Sequence, residues 1–210
     1  MKLLKIISFT CAMLATTGVY AIPIGGVEFP DGISSFADAV VSYSPGPDIG
    51  VNFSDPSSAL GTPDWSGSAQ TGSTSLGKGG ELVLQFTDNS LTTSGDANSD
   101  LWIFEIGGVT EFFNVAISTD NTNWIDLGDV LGQPTGIDID SITGVTIGAF
   151  YSYVRLQDVA PDQTGFPSPE ADIDAVGAIS SAPPIPIPTT VWLFGTGIFG
   201  LLGFSRKKVN

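Results

Sequence analysis

An acidic segment, Asp96-Ala97-Asn98-Ser99-Asp100, carries oxygen-bearing side chains at three alternate positions. A curled loop can direct such side chains toward one hard cation, and calcium prefers carboxylate and amide oxygens. Asp172 and Asp174 lie on one side of a predicted strand and supply further ligands if that strand neighbours the loop. The sequence therefore predicts a Ca²⁺ site formed by Asp96, Asn98, Asp100, Asp172 and Asp174. The alternative is that these acids are solvated turn residues that bind nearby backbone amides.

Catalytic options are narrow, because the chain contains no histidine and Cys11 is its only cysteine. This excludes Ser-His-Asp and Cys-His relays, imidazole metal sites and the usual general base near neutral pH. Carboxylate chemistry remains, for which a glycosidase needs two acids about 5 to 9.5 Å apart. Glu105 with Glu111, or Asp138 with Asp140, could form such a pair, but no flanking motif marks either. We expect no enzyme and no catalytic residue, with a carboxylate-based glycan hydrolase as the alternative.

Three tryptophans in the middle of the chain differ in their surroundings. Trp65 lies in the turn-rich segment Pro63-Asp64-Trp65-Ser66-Gly67, whereas Trp102 and Trp124 fall within strand patterns and are expected in the core. An exposed aromatic ring can stack on the face of a sugar while Asn and Asp oxygens bind its hydroxyls. Trp65 is therefore the predicted glycan-binding residue. A carbohydrate-binding module with calcium-dependent glycan recognition is an alternative function.

Charge is distributed unevenly along the 210 residues. Residues 22–182 hold two basic residues, Lys78 and Arg155, and all 22 acidic ones, which gives this segment a net charge of −20. Such a surface repels nucleic acid and anionic lipid and favours divalent cations. We therefore expect no nucleic-acid partner. The length fits one domain of ordinary size with a processed segment at either end.

The first 21 residues have the organisation of a secretory signal peptide. Lys2 and Lys5 form a basic start, an apolar run covers residues 6–14, and small side chains surround the exit at Val19-Tyr20-Ala21. Small residues at these positions fit the signal-peptidase pocket, so cleavage is predicted after Ala21. The sequence thus predicts export by the general secretory route.

The other end, residues 183–210, reads as a proline linker, a membrane helix and a basic tail. Residues 191–204 carry no charge and, at about 1.5 Å per residue, would span roughly 21 Å as a helix, less than the hydrocarbon core of about 30 Å. Basic residues follow directly, which predicts a cytoplasmic tail and an exported domain. We interpret this C-terminal segment as a sorting signal. The residues assigned to it are Pro186, Pro188, Val191, Trp192, Arg206, Lys207 and Lys208.

This tail resembles the PEP-CTERM sorting signal of Gram-negative bacteria, in which a proline motif, a Gly-rich apolar helix and an Arg/Lys cluster follow in fixed order. Here Pro186-Ile187-Pro188 replaces the name-giving Pro-Glu-Pro, and Val191-Trp192-Leu193-Phe194-Gly195 begins the helix. The resemblance implies processing by an exosortase-type membrane protease at the inner membrane. It also implies a final place at the cell surface or in the extracellular matrix, with exopolysaccharide or biofilm. An ordinary tail anchor is the alternative.

The middle of the chain has the pattern of an all-β protein, with short apolar alternations between turn-rich segments. Leu82, Leu84 and Phe86 share one face of a predicted strand. Further strands are predicted at residues 36–43, 101–106, 113–117, 124–127, 145–150, 154–156 and 172–179. Residues 22–182 are therefore predicted to form an antiparallel β-sandwich.

Four segments of this sandwich, in order, resemble the galactose-binding-like jelly roll of bacterial surface proteins. They occupy residues 79–86, 100–105, 115–124 and 172–177. This fold carries many ligand chemistries and names none. Taken together, the sequence predicts an exported, non-catalytic surface or matrix protein, sorted by exosortase, that binds or scaffolds exopolysaccharide.

Overall fold

The computed structural model describes residues 22–47, 49–67, 72–108, 110–159 and 170–182. The predicted signal peptide with its cleavage position at Ala21, and the predicted sorting tail at residues 183–210, lie outside these residues. Within the described part of the chain, no helix is long and apolar enough to cross a membrane.

The described chain is all-β and contains thirteen strands and two short 3-10 helices. The strands are β1 (Ile22–Ile24), β2 (Val27–Phe29), β3 (Ala39–Ser44), β4 (Thr74–Ser75), β5 (Glu81–Gln85), β6 (Ser90–Leu91), β7 (Leu101–Ile106), β8 (Phe112–Ser118), β9 (Trp124–Leu131), β10 (Thr135–Ile137), β11 (Tyr153–Asp158), β12 (Asp172–Ala178) and β13 (Ser181–Ala182). The 3-10 helices are Gly32–Ser35 and Pro56–Ala59.

Two antiparallel sheets pack face to face over one core. The larger has the strand order β3-β5-β11-β8-β9 and the smaller has the order β10-β7-β12-β4. Inward residues alternate along each strand, as a half-buried sheet requires. Leu82, Leu84 and Phe86 are buried, which confirms the predicted face of β5. The other buried residues of the shared core include Leu101, Ile103, Phe113, Val115, Ile117, Val154, Leu156, Ile173 and Val176.

A second apolar cluster covers the outer face of the smaller sheet. The hairpin β1–β2 turns at Gly25 and Gly26, whose φ angles of 57° and 84° are those of a tight hairpin turn. It places Phe29 against Phe36 and Phe104, with ring centroids 4.6 and 6.2 Å from that of Phe29. Since Phe104 faces outward, its neighbour Glu105 faces the interior between the sheets.

One predicted strand is wrong. Residues 145–150 form turns, in which the N–H of Val145 bonds to the carbonyl of Ile142 and that of Ala149 to Thr146. Gly144 and Gly148 have φ angles of 97° and 74°, which end any extended run at both places. By contrast, the strands predicted at residues 101–106 and 172–179 match β7 and β12 closely.

The strands run between two ends of the sandwich. At the first, which we call the Asp100 end, Asp100 precedes β7, and the N–H of Tyr151 bonds to the carbonyl of Leu91. At the second, the Glu105 end, Ile106 pairs with Asp172 and the N–H of Asp158 bonds to the carbonyl of Gly80. Six residues of β7 separate the two ends, roughly 20 Å at about 3.3 Å per residue.

Candidate metal centre and ligand-binding cleft

Three aspartates meet at the Asp100 end. The carboxylates of Asp100, Asp138 and Asp140 offer oxygens that all lie within 4.8 Å of one another. The sheet brings them together, because Ile137 of β10 pairs with Leu101 of β7. Asp100 directly precedes one strand and Asp138 directly follows the other, so the pairing places them side by side. We call these residues the aspartate triad, and it could hold a metal ion.

Asp100 is fully buried and joins three segments of the chain. Its Oδ1 accepts hydrogen bonds from the Ser94 N–H at 3.0 Å and the Ser180 hydroxyl at 2.6 Å. Its Oδ2 accepts one from the Ile139 N–H at 3.0 Å. Hydrogen bonds to a charged group are among the stronger ones. Asp100 therefore holds the loop before β7, the segment after β10 and the chain after β12 in place.

The other two triad members retain oxygens that a cation can use. Asp138 Oδ1 accepts the Asp140 N–H at 2.9 Å, and Asp140 Oδ2 accepts the Gly95 N–H at 2.6 Å. Asp140 Oδ1 is buried and has no hydrogen-bond partner among the described residues. A buried oxygen without a partner is unfavourable unless a cation or a proton meets it. The donor set, carboxylate oxygens alone, suits a hard cation such as calcium.

The five residues expected to bind calcium are not brought together. Of these, only Asp100 belongs to the triad. Asp96 is exposed, and its Oδ1 accepts the Asn98 N–H at 2.8 Å in a local turn, while Asn98 is exposed as well. Asp172 and Asp174 lie at the Glu105 end. The sequence does show two aspartates at alternate positions, 138 and 140, but only the pairing of β10 with β7 brings them to Asp100.

The Glu105 end gathers a second group of carboxylates, which is more deeply buried. Glu105 and Glu170 are 2% and 1% exposed, and the other members are Glu111, Asp158 and Asp172. We call these five residues the buried acid group. Burial, together with neighbouring carboxylates, raises the pKa values of Glu105 and Glu111 well above the ordinary range, and burial raises that of Asp172 to about 6. At neutral pH the protonated forms of Glu105 and Glu111 are therefore favoured.

A cleft of about 230 Å³ opens beside this group. Its walls include Trp65, Glu105, Gly107, Gln133, Pro134 and Asp174. Asp174 sits at the β-bulge between Ile173 and Ala175. Its Oδ1 accepts the N–H groups of Asp64 and Trp65 at 3.1 and 3.2 Å, which fixes the backbone that carries the Trp65 ring. Burial raises the pKa of Asp174 to about 6.

The three tryptophans have different environments. Trp65 is 36% exposed and lines the cleft. Trp102 is half-buried and packs against the outer apolar cluster. Trp124 is also half-buried and lies under the Arg155 guanidinium, whose carbon is 4.8 Å from the ring centroid. Trp65 is thus the tryptophan of the three that a ligand in this cleft can contact.

Both carboxylate pairs considered for hydrolysis are closely spaced. The Glu105 and Glu111 carboxyls lie near enough for each to influence the pKa of the other. A retaining or inverting enzyme instead separates its carboxylates by about 5 to 9.5 Å so that sugar and water fit between them. The Asp138 and Asp140 carboxylates are also close, since they offer oxygens within 4.8 Å of one another.

Comparison with known proteins gives no relative from which a function could be transferred: no protein-family model matches the chain, and no curated protein sequence matches it.

Proposed function

We propose that this chain is an exported, non-catalytic protein of the cell surface or extracellular matrix whose β-sandwich binds a glycan at the Trp65 cleft. The observation that carries the proposal is the combination in one cleft of a partly exposed aromatic ring with the polar side chains of Gln133, Glu105 and Asp174. Sugar-binding sites need both kinds of contact, because a sugar ring has apolar faces and a hydroxylated edge.

The cleft would bind a sugar in a defined way. The apolar face of the sugar would stack on Trp65, and the sugar hydroxyls would bond to the Gln133 amide and to Glu105. Since burial raises the pKa of Glu105, this group can donate a proton in a hydrogen bond as well as accept one. The net charge of −20 over residues 22–182 disfavours polyanions. The glycan class supported best is therefore a neutral exopolysaccharide.

The test of this cleft is glycan binding by the secreted protein in affinity gels and titration calorimetry. Trp65→Ala should weaken binding at least tenfold, a loss of about 1.4 kcal/mol. Trp65→Phe, which retains an aromatic face, should lose less. Ile147→Ala, which removes an exposed apolar side chain outside the cleft, is the matched control. Equal affinity of Trp65→Ala and the wild-type protein would overturn the proposal.

The export and sorting steps are proposed from the terminal sequences. Signal peptidase would cut after Ala21, and an exosortase would process the tail at the inner membrane. Ile22, the expected first residue of the mature protein, already pairs with Phe29 in the β1–β2 hairpin. An intact mass from a host that contains exosortase should correspond to a chain that begins at Ile22 and lacks residues 206–210. Retention of Arg206, Lys207 and Lys208 would reduce the tail to an ordinary anchor.

The finer fold and the metal are part of the same proposal. The two antiparallel sheets and their shared core support a galactose-binding-like jelly roll. The aspartate triad, with the unpartnered Asp140 Oδ1, supports Ca²⁺ as its ligand.

Calcium-dependent glycan recognition, the second candidate function, is favoured less. The triad precedes β7 whereas Glu105 and the cleft lie near the end of that strand, roughly 20 Å away. Calcium bound at the triad would therefore stabilise the domain without touching a glycan in the Trp65 cleft. Glycan hydrolysis is disfavoured by the close spacing of Glu105 and Glu111, and a polysaccharide panel should release no reducing ends. Release that one acid substitution abolishes would contradict the non-catalytic proposal.

A further inference from the structure

We propose that the domain has a second saccharide-binding site, for a neutral sugar, in a groove at the Asp100 end. The groove has a volume of about 380 Å³ and lies where β5 ends and β11 begins. Its lining includes Gln85, Asn89, Ser90, Thr119, Phe150 and Ser152. This groove is separate from the Trp65 cleft, which lies at the opposite end of the sandwich.

Asn89 contributes a buried amide to the lining of the groove. It is only 5% exposed, and neither its Nδ2 nor its Oδ1 has a hydrogen-bond partner among the described residues. Buried amides are almost always hydrogen-bonded, because losing water without a replacement bond is unfavourable. An amide presents a donor and an acceptor side by side, and a pair of neighbouring sugar hydroxyls presents the complementary arrangement. The unsatisfied amide thus matches a ligand that carries hydroxyl groups.

The other groove residues supply the remaining contacts of a sugar site. The Ser90 and Ser152 hydroxyls are 3.2 Å apart, and either can be the donor, so this pair can adapt to a ligand hydroxyl. Gln85 adds a second amide and Thr119 a further hydroxyl. Phe150 is 42% exposed and presents an aromatic face on which a sugar ring can stack.

The groove is held in shape by backbone hydrogen bonds. The Phe86 N–H bonds to the Ser152 carbonyl at 2.9 Å. Leu91 and Tyr151 exchange two bonds of 3.0 and 2.8 Å. These bonds fix the chain on both sides of Asn89, so a ligand would find the backbone of the site already formed. Preformed sites lose less free energy to ordering on binding.

Charge selects the class of sugar. The six groove residues carry no charge, whereas Asp38 and Asp88 lie beside them. Asp38 accepts the Thr87 N–H at 2.7 Å and the Thr87 hydroxyl at 2.8 Å. Burial, and then the proximity of Asp38, raises the pKa of Asp88. A uronate or sulfated sugar would bring a further negative charge to this edge, so a neutral sugar is favoured.

Two sites at opposite ends would allow one domain to join two polysaccharide chains. This consequence rests on the proposed function of the Trp65 cleft, whereas the Asn89 site itself does not. Linked sites also increase the overall strength of attachment to a polymer beyond that of either site alone.

The test uses the full chain and titration calorimetry with tetrasaccharides of glucose, galactose and mannose, with tetragalacturonate as the anionic comparison. Trp65→Ala, which removes the ring of the first cleft, should retain one site for at least one neutral tetrasaccharide. Adding Asn89→Leu, a substitution of similar size without polar atoms, should reduce that binding at least tenfold. Tetragalacturonate should bind at least tenfold more weakly than the neutral ligand.

Phe150→Ala supplies a second variant that does not depend on a buried position, and it should also weaken binding several-fold in the Trp65→Ala background. If Asn89→Leu fails to fold, as judged by thermal melting, the Phe150→Ala result decides. Binding by Trp65→Ala that neither substitution alters, or no neutral tetrasaccharide bound by Trp65→Ala, would overturn the second site. If the wild-type protein binds a neutral tetrasaccharide and Trp65→Ala binds none, the proposed function of the Trp65 cleft stands and only the second site is refuted.

Discussion

The two carboxylate groups of this domain differ in what surrounds their oxygens. At the Asp100 end, loop N–H groups and hydroxyls point at the aspartate triad, and Asp100 alone accepts three hydrogen bonds. At the Glu105 end, Glu105 lies within the ladder between β7 and β12, where its pairing partner is Ile173. The backbone N–H groups next to Glu105 bond within the sheet, although Asp158 at the same end accepts the Gly79 N–H at 2.9 Å.

This difference shows that buried acids in one domain can have very different hydrogen-bonding surroundings. Loops can turn their N–H groups toward a carboxylate and stabilise its charged form. Within a strand the N–H groups bond to neighbouring strands while the side chains point to the faces of the sheet, so Glu105 receives no such donor from β7 itself. Burial therefore raises the pKa values of Glu105, Glu111 and Asp172 and favours their protonated forms.

The largest expected effect is the loss of Asp100. Asp100→Ala should lower the free energy of unfolding by about 3 to 5 kcal/mol, because it removes three hydrogen bonds to a buried carboxyl and leaves the buried Ile139 N–H without a partner. Urea denaturation measures this value. Asp96→Ala is the control, since Asp96 is exposed and should change stability by less than about 1 kcal/mol. Equal effects of the two substitutions would show that Asp100 has no special structural role.

The second effect is a pH dependence that arises at the Glu105 end. Unfolded carboxyls titrate near pH 4, whereas the folded pKa of Asp172 is about 6 and those of Glu105 and Glu111 are raised further. Between these values the folded protein binds more protons than the unfolded chain, so stability is greatest near pH 4 to 5 and falls as the pH rises. Melting temperatures measured from pH 5 to pH 9 should therefore decrease.

Glu105→Gln should weaken this pH dependence, because a neutral amide needs no proton to be buried. At pH 8 the variant should be more stable than the wild-type protein by about 1 to 3 kcal/mol, and at pH 5 the difference should be small. Glu28→Gln, at an exposed position in β2, controls for the change in net charge. A decrease in stability at pH 8 would mean that Glu105 is charged and stabilised in the fold.

The smallest expected effect is stabilisation by calcium at the Asp100 end. With a dissociation constant near 10⁻⁴ M, as in extracellular modules, about ten times that concentration of calcium adds RT ln 11, about 1.4 kcal/mol. The melting temperature should rise by about 3 to 6 °C. The rise should be absent in Asp140→Asn and retained in Asp96→Ala.

Two controls make the calcium experiment specific to the triad. EDTA defines the metal-free protein, and sodium at matched ionic strength measures general screening of the negative surface. A rise in melting temperature that sodium reproduces would show that calcium does not bind specifically at the triad. A rise that Asp96→Ala abolishes and Asp140→Asn retains would place the ion on the exposed turn at residues 96–100 instead.

Much of the fold could be predicted from local patterns. The alternation of Leu82, Leu84 and Phe86 identified β5, and residues 101–106 were predicted with the bounds that β7 has. Such patterns are local consequences of the two-residue repeat of a strand. The prediction of a strand at residues 145–150 failed because apolar side chains recur there between glycines that turn the chain. Periodicity cannot separate these cases when the segment is short.

The sequence predicted the kinds of side chain that form the candidate site, but it did not predict which residues come together there. The sequence by itself determined that any site would use carboxylates, amides, hydroxyls and aromatic rings, because the chain has no histidine and one cysteine. Only the tertiary structure decided which of them meet. Asp100 joins Asp138 and Asp140 because β10 pairs with β7, and Asp172 lies far from Asp100 because it pairs with the opposite end of the same strand. These pairings join residues distant in the chain, and they depend on how whole strands pack over the core rather than on the spacing of any motif.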